Sequence, residues 1–170
     1  MPPANHVAYT APINPAGADP ILTRSEIWAG LERKIRAAEE FVGGAITSTD
    51  VIKEYRDEKT GLPVTVREVV FANAEMGRVT ETCIAFYPMK VEFHQNNGSK
   101  VQNIISQGAG GSKDLYMTYT FEWQHPELEG KGEATLQEKK VQEEKTAQVA
   151  VESTIKVMRE MVRDGRIKKE

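Results

Sequence analysis

The chain of 170 residues carries 22 lysines and arginines against 25 aspartates and glutamates, a formal charge of −3. That length can bury one substantial core and is short for two domains. The near balance of charge lacks the basic excess that nucleic acid or an anionic membrane surface attracts. The single cysteine, Cys83, rules out an internal disulfide framework and suits a reducing compartment. No run approaches the ~20 apolar residues that span a bilayer, and Met1 to Pro15 lacks the basic start and apolar run of a signal peptide. The expectation is one domain, ordered over about residues 6–165, in the cytoplasm, with no nucleic-acid partner and no membrane insertion.

His6 to Asn14 alternates loosely and runs into the proline- and glycine-rich stretch Pro15 to Pro20, which predicts a first strand and a loop. Thr23-Arg-Ser-Glu26 is a capping-box signature. It opens a helix whose apolar face is Trp28, Leu31, Ile35 and Ala38. Phe41-Val42 and Gly43-Gly44 close this helical region, with room for a second short helix. From Ile46 the hydrophobic period becomes two. Strands are predicted at Ile46–Tyr55, Val64–Phe71, Val79–Tyr87, Met89–Phe93, Val101–Ser106 and Leu115–Trp123. Turns are predicted at Asp57–Gly61, Asn73–Gly77, Asn97-Gly98 and Gly108–Gly111, with Pro88 marking a bend or bulge. Leu115, Met117, Tyr119, Phe121 and Trp123 put five large groups on one strand face, the clearest core surface in the chain. A long helix, roughly Thr135 to Arg163, closes the sequence. Thr135-Leu-Gln-Glu138 reads as its capping box, Glu138 to Gln148 as solvated, and Ala147, Val151, Ile155 and Met158 as part of its apolar stripe. Gly165 reads as its C-terminal cap.

This order predicts an α+β helix-grip fold, a curved antiparallel sheet wrapped around a long C-terminal helix. A helix so polar in its first half is expected to leave a cavity under the sheet. The stretches Leu22-Thr-Arg-Ser-Glu-Ile-Trp-Ala-Gly-Leu31, Arg67-Glu-Val-Val-Phe71, Asp114-Leu-Tyr-Met-Thr-Tyr-Thr-Phe-Glu-Trp123 and Val151-Glu-Ser-Thr-Ile155 resemble the AtaL-like family. That family sits in the superfamily of START lipid-transfer domains, birch-pollen-allergen-like proteins and aromatic polyketide cyclases. The resemblance implies a small-molecule cavity and a place in secondary metabolism; some members lie in fungal clusters for sulfur-bridged diketopiperazines. The allergen glycine-rich loop is not matched, since Arg56 to Pro63 holds one glycine, so allergen ligand contacts are not carried over.

Few residues carry a chemical signal. His6, His94 and His125 share no ligand spacing with one another or with Cys83, so no metal site is expected. Gly108-Ala-Gly-Gly-Ser-Lys113 lacks phosphate-loop spacing and precedes a strand, so it reads as a turn. Arg67 and Glu81 stand opposite one another if their hairpin pivots near Ala74. Facing inward they would be a buried pair able to tune a carboxylate. Val64, Val66 and Val70 compete for the inward face, and the alternative is an exposed ion pair. Tyr119 is either a donor to a ligand or a core tyrosine with its hydroxyl at the rim.

The expected catalytic set is thus Glu81 as acid–base group, Arg67 as its partner and Tyr119 as donor. The expected cavity lining is Trp28, Phe71, Cys83, Met117, Phe121, Val151, Ile155 and Met158. The expected activity is binding of a hydrophobic, cyclic metabolite, with cyclisation or isomerisation that needs no cofactor. A non-catalytic carrier, and an interaction module whose interior is closed by side chains, are the alternatives. A homodimer stays open.

Overall fold

The computed structural model describes residues 1–42 and 44–168. The elements in chain order are β1 (Ala4–Pro12), α1 (Arg24–Arg36), a 3-10 turn (Ala38–Glu40), β2 (Ile46–Arg56), β3 (Pro63–Phe71), β4 (Arg78–Phe86), β5 (Lys90–Gln95), β6 (Lys100–Gln107) and β7 (Leu115–Gln124). A second 3-10 turn (Pro126–Leu128) leads into α2 (Glu133–Asp164). All seven strands form one antiparallel sheet in the order β1-β7-β6-β5-β4-β3-β2. This is the expected helix-grip architecture. Among the described residues no helix is long and apolar enough to cross a membrane.

The concave face follows the two-residue period. Val79, Glu81, Cys83 and Ala85 on β4, and Leu115, Met117, Tyr119 and Phe121 on β7, are buried while their neighbours are not. Against this face lie Ala147, Val151, Thr154, Ile155, Met158, Met161 and Val162 of α2. α1 closes the same side, capped as expected: Glu26 N donates to Thr23 Oγ1 and Thr23 N to Glu26 Oε1. It crosses α2 at Gly30, where an added Cβ would come within 2.8 Å of Met158. The absent side chain lets the helices approach.

Several expectations change. The capping box at Thr135 does not form; α2 starts two residues earlier behind Gly132, and Thr135 Oγ1 donates back to Lys131 O. The first half of α2 is not wholly solvated, because Glu143 and Ala147 are buried. β1 starts at Ala4 rather than His6, since β7 extends far enough to pair with it. The second short helix is the turn Ala38–Glu40; Gly43 of the expected Gly43-Gly44 break lies outside the described residues. Gly165 is left-handed (φ 86°) and caps α2 as expected.

The expected cavity falls in a closely packed part of the core. Two clefts lie on the outer surface of the described residues. One of about 720 Å³ is between α1 and the C-terminal residues around Arg166, the other of about 460 Å³ beside Leu128 and Leu136. The space under the sheet is packed: Met117 is 0 % exposed, and Tyr119, Cys83 and Met158 are 1 %. The polarity of α2's first half did not empty that space, because α1 sends a lysine into it from the side.

Candidate functional site on the concave face

Arg67 and Glu81 are directly opposite on β3 and β4, as the hairpin register predicts, and both point inward, each 3 % exposed. Val66 and Val70 take the other face and are half-buried. Arg67 Nε and Nη2 donate to Glu81 Oε1 at 3.1 and 2.7 Å. Its Nη1 donates to the Lys34 and Ile35 carbonyls at 2.8 and 2.9 Å. Those carbonyls belong to the last turn of α1, where the helix dipole is negative and favours a cation. The guanidinium also lies 4.8 Å from the Phe93 ring centroid. Gln95 Nε2 completes the arrangement by donating to Glu81 Oε2 at 3.1 Å. Both carboxylate oxygens are engaged, which is what allows this charge to be buried.

Lys34 is the group the sequence reading missed. Its Nζ donates to Asn103 Oδ1 at 2.9 Å and to Tyr119 Oη at 2.8 Å, and the residue is 6 % exposed. Burial is the largest influence on it and the Arg67 charge the next, with Glu81 opposing. Together they bring the ammonium down to about 7. The signal was present: Lys34 is three residues beyond Leu31 and seven beyond Ile27, on the buried face of α1. A lysine there reads as a charge at the margin of a stripe, and only the packing reveals that it enters the core.

Tyr119 is hydrogen-bonded to Thr154 of α2, and burial pushes its phenol up. Burial likewise raises the Cys83 thiol, to about 12, so it is a core residue rather than a nucleophile. Two buried side-chain atoms in this cluster have no hydrogen-bond partner, Gln95 Oε1 and Asn103 Nδ2. Buried polar atoms are nearly always paired, so an orphaned acceptor and an orphaned donor beside a lysine and an ion pair mark unused binding capacity.

The structure brings Arg67 and Glu81 into contact and links them to Tyr119 only through Lys34. Cys83, Met117, Phe121, Val151, Ile155 and Met158 share the core with them, as does Trp28. Trp28 packs edge-on against Tyr87, with ring centroids 5.4 Å apart. Phe71 is the exception: at the end of β3, opposite Ile46, it is half-buried and outside that core. Apart from Phe71, these residues are buried against one another in the core.

A seven-stranded sheet gripping a helix, with a polar cluster at its centre, defines a helix-grip protein. Within that class the chain belongs to the AtaL family, acetylaranotin biosynthesis cluster protein L, whose model matches residues 7–165. Comparison with curated proteins gives no match. Among solved structures, the chain is similar to the di-domain ARO/CYC StfQ from the steffimycin biosynthetic pathway (TM-score 0.60, 8 % identity, covering 95 % of this chain and 52 % of that one). It is also similar to the di-domain ARO/CYC BexL from the BE-7585A biosynthetic pathway (0.56, 11 %, 92 % and 49 %). A third relative in fold is Ara h 8.0201 (0.56, 13 %, 95 % and 99 %). The chain spans about half the length of StfQ and BexL, and identities this low establish the shared fold alone.

Proposed function

We propose that this protein binds an apolar, cyclic small molecule against the concave face of its sheet, in the cytoplasm, and assists its cyclisation or isomerisation in secondary metabolism. The observation that carries the reading is the orphaned pair of buried atoms, Gln95 Oε1 and Asn103 Nδ2. A ligand hydroxyl, carbonyl or amide would supply what they lack. The biosynthetic-cluster description of the family, and the aromatase/cyclase titles of StfQ and BexL, supply the class of chemistry.

The roles differ from those expected at Glu81 and Arg67. With both oxygens of Glu81 engaged, that pair is a rigid frame. Lys34 is the group that can exchange a proton near neutrality, and Tyr119 carries a hydrogen bond between it and Thr154. The chemistry needs no cofactor in this reading. Among the described residues no three histidine, cysteine or carboxylate side chains gather into a group that could hold a metal.

The packed interior favours a second reading, an interaction module that binds no small molecule. Titration with a neutral apolar fluorophore such as Nile red separates the two. Saturable one-to-one binding that disappears on unfolding supports the binding protein; its absence from the native protein leaves the module. The non-catalytic carrier is separated from the enzyme by product analysis after incubation with a cyclic compound that binds: a carrier returns it unchanged, an enzyme returns a cyclised or isomerised product.

A further inference from the structure

We infer that Lys34 Nζ and Asn103 Nδ2 together form a subsite for an anionic oxygen, so that the preferred ligand is an apolar molecule bearing a carboxylate. The inference rests on the binding function proposed above and names the ligand class for the same face. An ammonium has three N–H donors, and Lys34 has two hydrogen-bond acceptors, Asn103 Oδ1 and Tyr119 Oη. The third donor is left over. Asn103 offers its Oδ1 to the lysine, which puts its own Nδ2 close beside the ammonium, and Nδ2 has no acceptor either. Asn103 is 0 % exposed, so bulk solvent does not reach it. Two adjacent donors lacking an acceptor, inside a water-excluded core, are what an anionic oxygen requires.

The charge count points the same way. The charged and titratable groups facing Lys34 are Arg67 on β3, Glu81 and Cys83 on β4, and Tyr119 on β7. With the thiol and phenol neutral, two buried cations face a single carboxylate, and that carboxylate is committed to Arg67 and Gln95. An incoming carboxylate balances the site. It also favours the charged form of Lys34, so binding takes up a proton at a pH where the free lysine is largely neutral.

The test is calorimetric titration of the native protein with decanoate and with 1-decanol. It is run in two buffers of different ionisation enthalpy, at about pH 6 and about pH 8.5, on either side of the lysine transition. The expected result is that decanoate binds roughly tenfold to a hundredfold more tightly than 1-decanol at the lower pH, the range of one charge-assisted hydrogen bond. Uptake of about one proton per decanoate is expected at the higher pH and almost none at the lower. Lys34→Met should remove both the preference for decanoate and the proton uptake. Asn103→Leu should weaken decanoate more than 1-decanol, and it serves if Lys34→Met does not fold. Equal binding of the two compounds, with no proton uptake, overturns the anionic subsite and leaves the binding function standing. Failure of both compounds to bind overturns the two together.

Discussion

Among the described residues, two buried polar clusters differ in completeness. On the concave face, Arg67, Glu81, Gln95, Lys34, Asn103 and Tyr119 leave an acceptor and a donor unpaired. At the end of the sheet where α2 begins, Asn5 of β1 donates to Glu143 Oε2 at 2.7 Å and to Leu136 O at 3.1 Å. His125 bonds the other Glu143 oxygen and also Glu127 at 3.0 Å, and Lys139 reaches Glu127 at 3.4 Å. Asn5, His125 and Glu143 are likewise buried, yet none of their fully buried side-chain atoms lacks a partner. Burial of charge alone therefore does not mark a site. The second cluster pins α2 to β1 and the end of β7; the first holds capacity that the fold does not use.

Breaking the concave frame should have the largest effect. Arg67→Ala removes the partner of a buried carboxylate and also leaves the last carbonyls of α1 without their donor. A loss of about 3–5 kcal/mol is expected in urea unfolding. A loss below about 1 kcal/mol would show that the pair is hydrated and would erase its contrast with a surface ion pair. At the pin, Glu143→Gln keeps the shape but weakens the bonds to His125 and Asn5. About 1–3 kcal/mol is expected there, with no change in binding of any concave-face ligand. A change in ligand affinity would merge the two clusters into one functional unit.

The third prediction separates the clusters by pH. Lys34 falls from its ordinary 10.5 to about 7 in the folded protein, so between these values the unfolded chain holds a proton that the native state has released. Stability contributed through this residue therefore rises as pH climbs from 7 towards 10. The slope should total on the order of 1–3 kcal/mol across that window and should be absent in Lys34→Met. An unchanged slope in the variant would assign the effect elsewhere. The smallest effects are expected at Cys83 and from metal removal. Cys83 should resist alkylation until the protein unfolds, and EDTA should leave the melting temperature where it was. Native-state alkylation would show that the concave face opens without ligand. A melting temperature lowered by EDTA and restored by one metal would reveal a site the residues do not suggest.

The hairpin registers and the opposition of Arg67 and Glu81 could be read from the chain, because they depend on a two-residue period and short turns; the pairing of β1 with β7, from opposite ends of the chain, could not. The Asn73–Gly77 turn alone places 67 across from 81. The capping box at Thr23 could be read for the same reason, since its atoms lie within one helical turn. The identical pattern at Thr135 misled, because Gly132 ends the preceding turn and the helix is already formed when the chain reaches the threonine. Which strand face turned inward was undecided, as valines occupied both parities of β3; the tertiary fold chose the face that let Arg67 reach the carbonyls of α1. Lys34, Asn103 and Gln95 come from α1, β6 and β5, and local periodicity does not relate one such element to another. The chain determined the sheet and the helix that it grips. Only tertiary packing decided that the space between them would be filled, because a long side chain from α1 competes for the same volume as any ligand.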